Sequence, residues 1–242
     1  MPVRLSILGS GNAFGGGGGN AATLLDQHVL VDVGSPPHLL LPRLGLSVRD
    51  IRLVLLTHFH YDHTAMLPLL LGALAWDDRT EPGRLVIAGP VGTRDMVEGL
   101  IGVGFGPGTQ RRIDERVAPG YAVLQDGGDV RFGEYRVRSH AVVHSTGPSL
   151  AYAVAKDGVR VGFSGDTTLC AGLRRLCAEV DVLVCECSNW DGPAGGGHLW
   201  RGEVEELVAG YPEVRFLLNH LPGRGSVPGA LIAHDLLTLD LS

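Results

Sequence analysis

Apolar residues come in short runs along this chain, and most runs give way to a segment of different period. "VRLSILG" (Val3–Gly9) reads as a strand, and "AATLLD" and "HVLVDVG" as two more, close enough for a hairpin. "PPHLLLPRLG" (Pro36–Gly45) predicts a short helix, with prolines at its start and Gly45 at its end. "IRLVLL" (Ile51–Leu56) is apolar throughout, as a buried strand would be. "TAMLPLLLGALAW" predicts a helix that begins just after His63. "RLVIAG" predicts a strand and "TRDMVEGLIG" a helix, while the Gly- and Pro-rich stretch Val103–Gly120 predicts a loop.

From Tyr121 to Gly165 the pattern is strand after strand, with "DGGD" and "KDG" supplying turns. A helix (Leu169–Ala178), a strand (Asp181–Glu186), a Gly-rich loop, a helix (Arg201–Ala209), a strand (Val214–Asn219) and a last helix (Gly229–Leu237) complete the reading. A purely parallel Rossmann sheet fits the hairpin-linked middle badly. No repeat of solenoid period is visible. One compact α/β domain over residues 1–242 is the expectation.

Composition narrows the function classes. Apolar residues make up 45% of the 242, which suits a chain that buries a core. The net charge of −6 argues against wrapping a long polyanion, which needs Lys and Arg to neutralise phosphates. It leaves room for one phosphate gripped at a metal site. Lys156 is the sole lysine, which reads as codon bias and not as chemistry. Four cysteines, Cys170, Cys177, Cys185 and Cys187, form no C-x-x-C pair, so they are expected as small buried hydrophobes in a reducing compartment. The opening "MPVRLSILG" is no signal peptide, and "MLPLLLGALAW" is too short to span a bilayer. A cytoplasmic protein without a membrane partner is expected.

The candidate chemistry sits in "THFHYDHT" (Thr57–Thr64), directly after an apolar strand. Imidazole and carboxylate suit zinc and similar ions. His58 and His60, two apart at a strand end, can face one ion. Asp62 and His63 follow too closely to join the same three-sided site and suit a second ion. Burying four such side chains is costly unless something satisfies them. Further ligands are expected where later strands end: His144 after "RVRSHAVVH", Asp166 after "VGFSGD" and His220 after "FLLNH". With Asp166 bridging, these complete two sites. His28, His38 and His234 read as ordinary solitary histidines, and His140 as structural.

"LLTHFHYDHTAMLPLL" resembles the H-x-H-x-D-H signature of the metallo-β-lactamase fold. "LGLSVRDIRLVLLTH", "VVHS", "SGDT" and "LNH" resemble that superfamily's other motifs, in order. The resemblance implies a four-layer αβ/βα sandwich. It implies His58, His60 and His144 on one metal, Asp62, His63 and His220 on the other, and Asp166 between them. Two divalent ions are implied, zinc first, with manganese or iron as substitutes. Familiar zinc β-lactamases place a cysteine at the position of Asp166, so an antibiotic hydrolase is not expected.

"CECSNWDGPAGGGHLWRGEVEEL" resembles the ribonuclease Z branch, which keeps a Glu after this late strand and a His before the next helix. Glu186 and His198 take those positions. "LSILGSGNAFGGGGGNAATLL" and "IAGPVGT" resemble the same branch. The resemblance implies phosphodiester hydrolysis by a metal-bound hydroxide that Asp62 orients, with His198, held by Glu186, assisting the leaving oxygen. It departs at one point. Branch members that trim tRNA carry a long arm, whereas only 21 residues separate His144 from Asp166 here. A small phosphodiester, a cyclic nucleotide or a short oligonucleotide, is therefore the expected substrate of a phosphodiesterase. The alternatives are tRNA 3′-end processing, hydrolysis of a lactone, thioester or aryl sulfate on the same metals, or a non-catalytic metal sensor. The Gly15–Gly19 run matches no P-loop and is expected as a flexible loop at the site rim, and a homodimer is the prior for such relatives.

Overall fold

A computed structural model describes residues 2–193 and 196–241, so residues 194 and 195 of the Gly-rich loop after Glu186 lie outside the described residues. The chain contributes strands β1 (Val3–Gly9), β2 (Ala22–Leu25), β3 (Val29–Val31), β4 (Leu53–Leu55), β5 (Val86–Gly89) and β6 (Gly120–Val123) to one sheet. Strands β7 (Asp129–Phe132), β8 (Tyr135–Val142), β9 (Ser149–Lys156), β10 (Val159–Phe163), β11 (Val182–Glu186), β12 (Arg215–Asn219) and β13 (Leu231–Ile232) form the other. β14 (Thr238–Leu241) returns to the first sheet, antiparallel to β1. Each sheet is mixed. β3 to β6 run parallel, as do β10 to β13, and the remaining pairs are antiparallel.

The strand sequences dictate four layers. In β4, Leu53 and Leu55 enter a core shared by both sheets, while Val54 and the following Leu56 enter a second core beneath helices. In β11, Val182 and Val184 join the shared core, while Leu183 and Cys185 join a third. A strand with apolar residues on both faces must be covered twice. Helices α3 (Leu67–Ala75), α4 (Thr93–Gly104) and α5 (Pro107–Arg116) cover the first sheet, through Leu70, Leu71, Val97, Ile101 and Ile113. Helices α6 (Ala171–Cys177) and α7 (Arg201–Gly210) cover the second, through Leu173, Leu176, Val204 and Leu207. The short α1 (Pro37–Leu40) and α2 (Tyr61–Thr64) complete the helical set, and the result is the αβ/βα sandwich. No helix among the described residues is long and apolar enough to cross a membrane.

Three local expectations need correction. Val103–Gly120 is not a loop: α4 runs on to Gly104, and α5 starts at Pro107, where a missing N–H costs nothing. Ile113 and Val117, four apart, anchor α5 in the second core. Gly229–Leu237 is not a helix. Instead β13 extends the second sheet and β14 covers the edge of β1, with Leu239 and Leu241 turned to the shared core. The alternation in Thr238–Leu241 was the signal for this. Finally, the helix after β4 starts at Tyr61, so Asp62 and His63 lie inside its first turn.

The turns follow their chemistry. Asp157 (φ 51°) and Gly158 (φ 85°) are both left-handed between Lys156 and Val159, as a two-residue hairpin requires. Cys185 and Cys187 are fully buried in the third core.

Candidate metal centre

Most predicted ligands lie at the C-terminal end of a strand or just beyond it, while Asp62 and His63 lie in the first turn of α2. His58 and His60 follow β4, His144 follows β8, Asp166 follows β10, Glu186 ends β11 and His220 follows β12. These ends lie together at one edge of the sandwich. His220 sits in the left-handed region (φ 54°), where a non-glycine residue is strained by about 1 kcal/mol or more, and this turns its ring out of the strand line.

Two sets form. In the first, His58 Nε2 lies 3.2 Å and His144 Nε2 3.0 Å from His60 Nδ1. Their other nitrogens fix the tautomers. His144 Nδ1–H donates to the Gly197 carbonyl at 2.9 Å. The Thr57 hydroxyl donates to Asp32 Oδ2 at 2.8 Å, so its oxygen accepts from His58 Nδ1–H at 3.0 Å. Two bare ring nitrogens thus converge on His60 Nδ1, and a cation among the three would satisfy them together. In the second set, His63 Nδ1–H donates to Asp32 Oδ2 at 2.7 Å and His220 Nδ1–H to Ser188 Oγ at 2.7 Å. Their Nε2 atoms stand 3.6 and 3.0 Å from Asp62 Oδ2.

Asp166 joins the sets. Its Oδ2 lies 3.7 Å from His58 Nε2, 3.8 Å from His144 Nε2, 3.3 Å from His63 Nε2 and 3.4 Å from His220 Nε2. Both Asp166 oxygens and His63 Nε2 are buried without a hydrogen-bond partner. Buried polar atoms are nearly always satisfied, so these orphans fit bound cations. The ligand atoms of His58, His60, His144 and Asp166 lie within 4.8 Å of one another, as do those of Asp62, His63, Asp166 and His220.

The electrostatics agree. Burial, helped by the neighbouring His63, pushes the His58 pKa far below its ordinary value, which keeps it neutral as a ligand must be. Burial also opposes charge on His63, yet the Asp166 and Asp32 carboxylates outweigh it and hold its pKa well above the usual range. Asp166 is held well below the carboxylate range despite its burial, chiefly by His220 and His63. The site is built to hold positive charge.

Beside these sets, His198 Nδ1–H lies 3.2 Å from each oxygen of Glu186. Glu186 is almost fully buried, and its oxygens accept from the Thr167 N–H at 2.6 Å and the Ser188 hydroxyl at 2.5 Å. Ser188 therefore ties His220 to the same carboxylate that His198 bonds directly. Burial opposes protonation of His198, but the Glu186 hydrogen bond and charge lift its pKa to about 9. Glu186, His198 and His220 also meet metal-ligand spacing. His60, Tyr61, Asp62, Asp166, His198 and His220 open onto a cleft of about 630 Å³.

Sequence reasoning missed Asp32, Thr57 and Ser188. Asp32 had a readable signal, a carboxylate inside the apolar run "LVDVG". Ser188 had none. Asp32→Ala is expected to weaken zinc binding by roughly 10- to 100-fold, since a carboxylate behind a ligating histidine contributes that much. Competition against a chromophoric chelator measures this, and unchanged affinity would refute the role. His140 bonds Glu179 and His28 bonds the Asp50 carbonyl, both away from the site.

A Ribonuclease Z from Mycobacterium bovis (strain BCG / Pasteur 1173P2) is 30% identical over 171 residues, which cover 65% of this chain and 59% of that protein. The chain thus spans about three-fifths of that relative's length. The human tRNase Z short form superposes with a TM-score of 0.78 at 20% identity over 99% of both chains. The metallo-beta-lactamase fold protein YhfI from Bacillus subtilis does so with a TM-score of 0.78 at 18% identity, again over 99% of both. At these identities the structural likeness speaks for the fold alone. The family described as "Beta-lactamase superfamily domain" matches residues 29–221, and the chain belongs to that family.

Proposed function

We propose that this chain is a dinuclear metal-dependent phosphodiesterase acting on small phosphodiesters. The observation that carries the reading is His198, held by the buried Glu186 at the wall of the cleft that the two ligand sets also line. Hydrolysis of a lactone or a thioester has no evident need for that pair. The likeness to a protein named Ribonuclease Z supports phosphodiester chemistry. The segment from His144 to Asp166 consists of little more than β9, β10 and an Asp-Gly turn, with no room for a tRNA-gripping arm, and this favours a small substrate.

His58, His60, His144 and Asp166 would hold one divalent ion, and Asp62, His63, His220 and Asp166 the other, with zinc the best fit to a His-rich set. Such ions supply Lewis acidity to phosphoryl oxygens and acidify water. The protein's own groups do the rest. Asp62, at the cleft wall, accepts a hydrogen bond from the attacking water and aims it. Thr57 and Asp32 fix His58 and His63, and Ser188 fixes His220. Glu186 occupies the Nδ1–H of His198, which leaves Nε2 to protonate the departing oxygen.

The test is turnover of bis(p-nitrophenyl) phosphate against a lactone and a thioester, with zinc and with manganese. Phosphodiester hydrolysis that a chelator abolishes and zinc restores is expected. Turnover of the lactone or thioester without the phosphodiester would overturn the reading.

A further inference from the structure

Two aromatic side chains at the mouth of the cleft take no part in the ligand sets. Phe14 stands on the Gly-rich loop after β1 and is fully exposed (102%). Tyr61, between His60 and Asp62, is 69% exposed. Both line the same cleft as His60, Asp62 and His198. A solvated phenyl ring contributes nothing to folding, and a slack glycine loop would let it fold back onto apolar surface. This loop is not slack. Gly11 N–H donates to the Gly19 carbonyl at 2.8 Å and Asn12 N–H to the Leu221 carbonyl at 3.1 Å. Gly15 N–H donates to Asn12 Oδ1 at 2.6 Å, and Gly19 N–H to Asp235 Oδ2 at 2.8 Å. The bonds hold Phe14 out over the cleft mouth.

The lining also lacks charge where further phosphates would need it. Among the described residues no Arg or Lys borders the cleft, so its cationic capacity is confined to the ligand sets and His198. The rest of a volume of about 630 Å³ is bordered by Ala13, Phe14, Gly15, Tyr61 and Ala65, together with asparagines engaged in the loop itself. Such a surface rewards a flat, uncharged group attached to a single phosphate.

We propose that Phe14 and Tyr61 form a ring-binding subsite that selects phosphodiesters bearing a flat aromatic ring, a nucleobase in particular. The proposal rests on the phosphodiester reading for its consequence in catalysis, but its binding step can be measured alone. Stacking of a base on an aromatic side chain corresponds to about 5- to 150-fold in affinity.

The experiment is calorimetric titration of the zinc-loaded protein with AMP, phenyl phosphate and ribose 5-phosphate, without turnover. Wild type is expected to bind AMP at least 5-fold more tightly than ribose 5-phosphate. The double variant Phe14→Ala/Tyr61→Ala should lose that preference while its ribose 5-phosphate affinity and zinc content stay the same. A phenyl phosphate affinity close to that of AMP supports a subsite for any flat ring, and one close to that of ribose 5-phosphate supports a nucleobase subsite. Equal AMP and ribose 5-phosphate affinities in wild type, or a full AMP preference in the double variant, overturn the subsite. Ring preference in binding with no phosphodiester turnover overturns the function and leaves the subsite standing.

Discussion

Asp166→Asn is expected to cost at least about 10³-fold in kcat/KM and to reduce bound zinc from two ions per chain to one or fewer. The figure follows from the several kcal/mol that divalent cations contribute to charge stabilisation in a transition state, since about 4 kcal/mol is about 10³-fold in rate. Asparagine keeps the shape of Asp166 but removes its negative charge and replaces one acceptor oxygen with an NH2 donor. Asp166 Oδ2 is the carboxylate oxygen that lies within 3.8 Å of His58, His144, His63 and His220 alike. Asp62, the other carboxylate of the two sets, belongs to the second set only. Losing the bridge should therefore weaken both sets at once.

A thermal measurement separates lost metal from lost fold. Zinc at 100 times its Kd stabilises a protein by about 2.7 kcal/mol if it binds only the folded state. That increment should appear in wild type and shrink in the variant, while the chelator-treated proteins melt close together. Elemental analysis and melting curves with and without chelator read both effects. Two zinc ions per chain with near-normal turnover in Asp166→Asn would sink the bridging role.

The residues that meet in the two sets were legible in the sequence because two local signals coincided. Each stands at the end of an apolar run, and each is a residue type that seldom sits beside such a run unpaired. Strands β4, β8, β10 and β12 all end at one edge, so His58, His144, Asp166 and His220 meet although 161 residues separate the first from the last. The residues behind them were not legible. Asp32 reaches His63 and Thr57 across 31 and 25 positions, and Ser188 reaches His220 across 32. Those pairings depend on strand register, which no local pattern encodes. The two misread segments failed for a related reason. Glycine and proline in Val103–Gly120 signal a loop, whereas burial of Ile113 and Val117 decides in favour of α5. At the C-terminus the deciding contact is the open edge of β1, which accepts β14.

His198→Ala is expected to lower kcat by roughly 10²- to 10⁴-fold on a phosphodiester whose leaving group is an ordinary alkoxide, the usual worth of a positioned acid. On bis(p-nitrophenyl) phosphate the same variant should lose less than about 10-fold, because a stabilised phenolate leaves without a proton. This contrast separates an acid from a metal ligand, and the distinction matters because Glu186, His198 and His220 also lie at metal-ligand spacing. If His198 held an ion, its loss would lower zinc content and damage both substrates equally. Retained zinc with selective loss on the alkoxide substrate supports proton donation. Glu186 acts through His198, since its two oxygens lie 3.2 Å from Nδ1. Glu186→Gln should therefore show the same leaving-group contrast at smaller amplitude. Adding it to His198→Ala should cost almost nothing more, because residues that act as one unit are not additive. A double variant whose loss equals the product of the single losses would show that Glu186 works by another route, the nearest being Ser188 and the ring of His220.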